Sequence, residues 1–161
     1  MRKNDLIRLF NRARDIPLRM PESSRDKDSR CWGKNRRLYE KLEAEGYCAR
    51  FRVCEFAWGE QGLPAEILAL CPFRGDNHLF IEVKLGKGWV ALDCSNDGKL
   101  PEHNEWDGRT DCRIEVKHSR IFPPEESARI EKAEPELYRK NLKEYGKFFR
   151  ALNGFLESLR K

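Results

Sequence analysis

The sequence predicts an α+β fold on three observations. Apolar residues recur at helical spacing near both ends of the chain and again over 30–45. Strand-forming residues alternate in several segments between 47 and 122. Two of those segments, 78–85 and 89–94, flank a Gly86-Lys87 pair that suits a tight hairpin turn. The 161 residues fit one domain, with a core over about 28–122 and a helical extension over 123–161.

Taken in order, Leu6, Ile7, Leu9, Phe10 and Ala13 give an apolar helical face over 4–13, with Asn4 or Asp5 as its cap. Pro17 and Pro21 end that element, and 16–29 is expected to be extended and rich in turns. A second helix is expected over 30–45, capped by Asp28 or Ser29 and stopped by Gly46. Its residues Cys31, Leu38 and Leu42 share one face. Tyr47, Ala49, Phe51 and Val53 then alternate as a strand. Phe56 and Trp58 continue on the opposite parity, which predicts a bulge or strand end near 54–55. The segments 67–71 and 112–122 are expected to be strands. Pro123-Pro124 opens a helical C-terminal third, where Tyr138, Leu142, Tyr145, Phe149, Leu152, Leu156 and Leu159 step by four and three. That seam serves either to pack a long helix on the domain or to join a homodimer or partner through residues 138–159.

Composition narrows the function classes. The 32 basic and 27 acidic side chains leave a net charge of +5, a small difference between large numbers. This describes an ion-pair-laced surface and, with no nucleic-acid motif, makes a nucleic-acid partner unexpected. The first residues show no apolar leader, and no apolar run approaches the ~20 residues that span a bilayer. A cytoplasmic protein with no membrane partner is expected, and its six cysteines are expected to be free thiols, most of them packing residues. Cys94, His103, Cys112 and His118 have the wrong spacings for zinc, so neither a metal nor a cofactor is expected.

Three residues converge on a thiol chemistry. Cys31 falls at the predicted start of a helix, where free amides and the positive end of the helix dipole favour a thiolate. His78 opens one strand of the predicted hairpin and Asp93 closes the other. If Leu85 pairs with Gly88, then Phe80 faces Asp93 and His78 faces Ser95. His78 and Asp93 then lie on one sheet face as diagonal neighbours, and a one-residue slip would separate them.

The stretch Asp28-Ser29-Arg30-Cys31-Trp32-Gly33, followed by an amphipathic helix, Gly46-Tyr47 and a strand, resembles the nucleophile segment of the transglutaminase-like superfamily of papain-like thiol enzymes. The stretch from His78 through Glu82 and Trp89 to Asp93 resembles that superfamily's His-and-Asp hairpin. The order and the spacings, 47 residues from Cys to His and 15 from His to Asp, fit, and the likeness covers about 28–95. It implies a papain-like core in which a nucleophile helix packs on an antiparallel sheet. It also implies acyl transfer by a Cys31-His78-Asp93 triad acting on a peptide or protein amide. The backbone amide of Cys31 would be one oxyanion donor. Trp32 and Trp58 are the candidates for the oxyanion side and wall of the substrate cleft, with packing the plainer role for Trp32. Hydrolysis, as in a cysteine peptidase or amidase, is favoured over transamidation, because the chain is short and has no Asp-x-Asp-x-Asp-Gly calcium loop. The alternative is a non-catalytic binding or dimerisation module of the same fold, acting through the C-terminal helix.

Overall fold

The computed structural model describes residues 3–160. Its first helix, α1 (Lys3–Arg14), buries Leu6, Phe10 and Ala13 against Leu38 and Leu42 of α2 (Cys31–Ala44). Gly46, at φ 83°, ends α2 as the sequence predicts. The start of α2 differs from expectation. Neither Asp28 nor Ser29 caps the helix with its side chain; Arg30 is the flanking residue. The Asp28 carboxylate instead accepts the Arg30 amide at 3.0 Å and grips its guanidinium at 2.9 Å.

Four antiparallel strands follow, in the order β3-β2-β1-β4: β1 (Ala49–Ala57), β2 (Gly75–Leu85), β3 (Gly88–Leu92) and β4 (Arg120–Ile121). Leu85 pairs with Gly88 across a turn in which Gly86 has φ 60°, the register expected from the sequence. No bulge interrupts β1, which pairs continuously from Ala49↔Val83 to Ala57↔Gly75. Its change of apolar parity has another cause: Val53 and Cys54 are both fully buried, so both faces of the sheet are covered at that point.

Two predicted strands are absent or short. Residues 65–68 form a single helical turn, α3 (Ala65–Leu68), whose first bonds run from the Ile67 and Leu68 amides to the Pro64 carbonyl. Ala, Glu and Leu favour that turn over an isolated strand with no neighbour to pair with. Of 112–122, only Arg120–Ile121 is strand. The rest of the long connection after β3 is irregular, and side chains satisfy its backbone. The Asn104 amide group donates to the Asp93 and Arg113 carbonyls, and the Glu115 carboxylate accepts the amides of Asn96 and Asn104.

The C-terminal helix α4 (Pro124–Leu159) has Pro135 inside it. Its first half is ion-paired to α2 and the residue before it: Arg36 meets Glu131 at 2.7 Å and Glu134 at 3.0 Å, and Arg30 meets Glu134 at 2.8 Å. Its second half buries Tyr145, Phe148, Phe149, Leu152 and Leu156 against Met20, Ile67 and Leu100. Asn153 fastens the extended 15–30 segment to this half, accepting the Met20 amide at 2.7 Å and donating to the Met20 carbonyl at 2.8 Å. The seven-residue seam is therefore packed largely within the chain. Among the described residues no helix is long and apolar enough to cross a membrane.

Candidate active site

Cys31 is the first residue of α2 and is half-buried at the edge of a cavity. The chain enters it extended, with Arg30 at φ −68° and ψ 176°, so the first amides of the helix have no partners within it. Gly33 makes this entry possible: a Cβ there would stand 2.0 Å from the Asp28 carbonyl oxygen. The backbone crosses itself at the third residue of the helix, and only glycine leaves room.

His78 lies near the start of β2, opposite Cys54 on β1, and is buried. Its Nε2 is 2.7 Å from Oδ2 of Asp93, which is also buried. Nδ1 is therefore the ring nitrogen left for the sulfur of Cys31. Burial alone would drive the imidazole neutral. The nearby charges of Asp93 and Cys31, and the hydrogen bond to Asp93, outweigh it and raise the His78 pKa well above the ordinary histidine value. Burial likewise opposes the Asp93 charge, but His78, the Glu115 amide and the Ser95 hydroxyl reverse the balance and hold its pKa below the usual carboxylate value. The favoured state of the buried pair is carboxylate and imidazolium.

Three of the other cysteines are held protonated by burial. Burial pushes the Cys54 thiol up to about 11, the Cys112 thiol up to about 12, and Cys94 well above its ordinary value. These sulfurs stay protonated and inert at neutral pH. All six cysteines are free.

Residues not singled out from the sequence hold the three in place. Asn35, one turn after Cys31, has its Nδ2 at 2.9 Å from the Leu79 carbonyl, 3.1 Å from Ser95 Oγ and 3.0 Å from the Cys31 carbonyl. Its Oδ1 accepts the Cys94 amide at 3.2 Å. One side chain thus ties the start of α2 to the strand of His78 and the loop of Asp93. The signal was present: 31, 35, 38 and 42 step by four, three and four, and Asn35 is the polar residue in that buried face. Lys34, fully buried, donates to the carbonyls of Arg14 and Ser95 at 2.8 Å each. Burial lowers its pKa to about 8 against the pull of nearby acids and of Cys94. Glu115 donates its own amide to Asp93 Oδ2 at 2.8 Å, and burial together with the Asp93 charge raises its carboxyl to about 8. Nothing in the local sequence around Lys34 or Glu115 marks them, because their partners come from loops distant in the chain.

Asn35→Ala is expected to lower folding stability by about 2 kcal/mol in urea unfolding, from the backbone groups it orphans. It is also expected to slow alkylation of Cys31 near neutral pH about tenfold as the helix and strand drift apart. An unchanged pH profile of alkylation beside lowered stability would make Asn35 a folding residue only.

The two tryptophans divide. Trp32 is buried with Val53, Leu79 and Phe122, and its Nε1 donates to the Asn77 carbonyl at 3.2 Å. It packs the corner and also lines the cavity. Trp58 stands in the cavity wall, edge-on to Phe56 and Phe148 with ring centroids 4.9 Å away in each case, and its buried Nε1 makes no hydrogen bond. Gln61 also reaches the wall, but its amide is committed to Ala57 and Lys117. His103 bonds Leu100 and Glu105, and His118 is exposed. Among the described residues no group of three or more His, Cys, Asp and Glu side chains could hold a metal ion.

Comparison with protein-family models, with curated proteins and with solved structures finds no match, so the reading of the site rests on its geometry.

Proposed function

We propose that the protein is a thiol-dependent acyl-transfer enzyme with a papain-like core, in which Cys31 is the nucleophile, His78 its base and acid, and Asp93 the group that orients the imidazole. The buried 2.7 Å contact between His78 and Asp93, set beside the first residue of a helix at the mouth of a cavity, carries the reading. The sulfur attacks the carbonyl carbon of an amide or ester, and the carbonyl electrons move to oxygen. The free Cys31 amide at the helix start suits that oxyanion. Collapse of the intermediate breaks the bond to the leaving group, which takes a proton from His78, and leaves a thioester on Cys31. Water then adds with His78 as base, releasing the acid and the thiol. Hydrolysis of an amide, as by a cysteine peptidase or amidase, is the favoured overall reaction. The competing reading, a binding module acting through residues 138–159, is weakened because the apolar seam is already packed inside the chain.

The test is iodoacetamide alkylation mapped over all six cysteines as a function of pH, in wild type and His78→Ala. Cys31 is expected to react fastest at pH ~6–7, where an ordinary thiol is almost entirely protonated, and to lose that low-pH reaction without His78. Alkylation of Cys31 indistinguishable from that of exposed Cys48, and indifferent to His78, would sink the catalytic reading.

A further inference from the structure

The cavity beside Cys31 and His78 has a volume of about 430 Å³, within the range of small-molecule sites. Its walls are mainly apolar. The last turns of α4 contribute Leu152, Phe155, Leu156 and Leu159, and the facing side contributes Trp58 and Leu63. Four charged residues reach it, and each is engaged. Arg30 is bound by Asp28 and Glu134 and lies 3.6 Å from the centre of the Tyr138 ring. Asp76 takes the Tyr145 hydroxyl at 2.6 Å, Glu115 takes two backbone amides, and Glu102 pairs with Arg113. No unpaired cation lines the cavity to meet a carboxylate or phosphate. Of the amide side chains in the lining, Gln61 and Asn96 are committed to backbone groups and Asn77 remains. Against the α4, Trp58 and Leu63 walls a polar chain would lose its water without replacement, whereas an alkyl chain gains by burial.

We infer that the acyl group delivered to Cys31 is an uncharged aliphatic chain of medium length, lodged between the C-terminal turns of α4 and the Trp58–Leu63 wall. The inference rests on the thiol acyl-transfer reading and specifies its donor. In the acylation step the Cys31 thiol gives its proton to His78 and the sulfur forms a bond to the carbonyl carbon of an aliphatic amide or ester. The bond from that carbon to the leaving nitrogen or oxygen breaks with its electron pair on the leaving atom, which takes the proton from His78, and the chain remains as a thioester. Water restores the thiol and releases the fatty acid.

The experiment uses the full chain with p-nitrophenyl acetate, butyrate, hexanoate and octanoate, and with the p-nitrophenyl ester of N-acetyl-leucine as a peptide-like donor. Release of nitrophenolate gives the rate, and intact mass and peptide mapping locate the acyl group. Octanoate is expected to acylate Cys31 at least about tenfold faster than acetate, with the rate rising along the series. Phe155→Asp or Leu63→Trp is expected to reduce that ratio severalfold. The wild-type series decides the proposal, and the two variants place the chain in this cavity. If Cys31 shows His78-dependent alkylation but a flat ester series, or prefers the leucyl ester, the aliphatic donor is overturned and the thiol reading stands. A ratio unmoved in a folded variant overturns the placement. If Cys31 is neither acylated nor alkylated faster than Cys48, both readings fall together.

Discussion

Asp93→Ala is expected to lower the rate of Cys31 acylation by ~10³–10⁴-fold, as loss of the orienting carboxylate does in comparable triads. The variant also leaves His78 buried opposite no carboxylate, and loses the acceptor for the Ser95 and Glu115 amides and the Ser95 hydroxyl. Breaking such a pair costs about 3–5 kcal/mol. The pH dependence follows from the two shifts. The depressed pKa of Asp93 contributes stability that is present above its unfolded value, near ~3.9, and is lost as pH falls through the lower folded value. The raised pKa of His78 contributes stability that is present below its unfolded value, near ~6.5, and is lost as pH rises through the higher folded value. The stability gap between wild type and Asp93→Ala in urea unfolding is therefore expected to be widest near pH ~5 and to narrow above the folded value of His78. A gap that does not change with pH would show that the buried pair is not ionised.

Gly33→Ala is expected to have the next largest effect. The new Cβ would lie 2.0 Å from the Asp28 carbonyl oxygen and 2.7 Å from its carbon, and no rotamer moves a Cβ. Either the turn at Asp28 or the first turn of α2 must shift. Asp28 also holds the Arg30 guanidinium, and its carbonyl takes Arg37 at 2.6 Å, so the displacement spreads through both. A loss of about 3 kcal/mol in urea unfolding is expected. With Cys31 displaced from His78, its alkylation at neutral pH should fall about 10²-fold. Gly146→Ala is the control. It lies inside α4 with nothing within 4 Å of the added atom, and it should stabilise by about 0.5–1 kcal/mol. Equal effects from the two substitutions would refute the close approach at Gly33.

The elements whose order is local were legible. The helices that open and close the chain, the helix begun by Cys31 and the 78–94 hairpin all carry their periodicity and turn chemistry within a few residues. The placement of His78 beside Asp93 was legible for the same reason, since a two-residue turn sets the register and the register sets the face. The errors fall where distant parts of the chain decide. The 67–71 segment had strand-forming residues but no strand to pair with, and it became a helical turn. The 112–122 segment yielded only two residues of strand, because Gln61, Asp93 and Glu115 satisfy the backbone around it instead. The parity change in β1 suggested a bulge because one-sided burial was assumed, whereas layers on both sides bury Val53 and Cys54 together.

By itself the sequence determined the class of the fold, the three residues of the proposed triad, and the register that joins two of them, because each depends on spacings along a single element or hairpin. Only the tertiary structure decided the rest. It lays the last turns of α4 along the cavity beside Cys31, makes Asn35 the tie between helix, strand and loop, assigns Trp32 to packing, and turns Gly33 into a point of backbone crossing. Those outcomes depend on which distant surfaces meet, and the pairing of surfaces far apart in the chain is settled by packing and by the satisfaction of buried polar groups across the whole molecule.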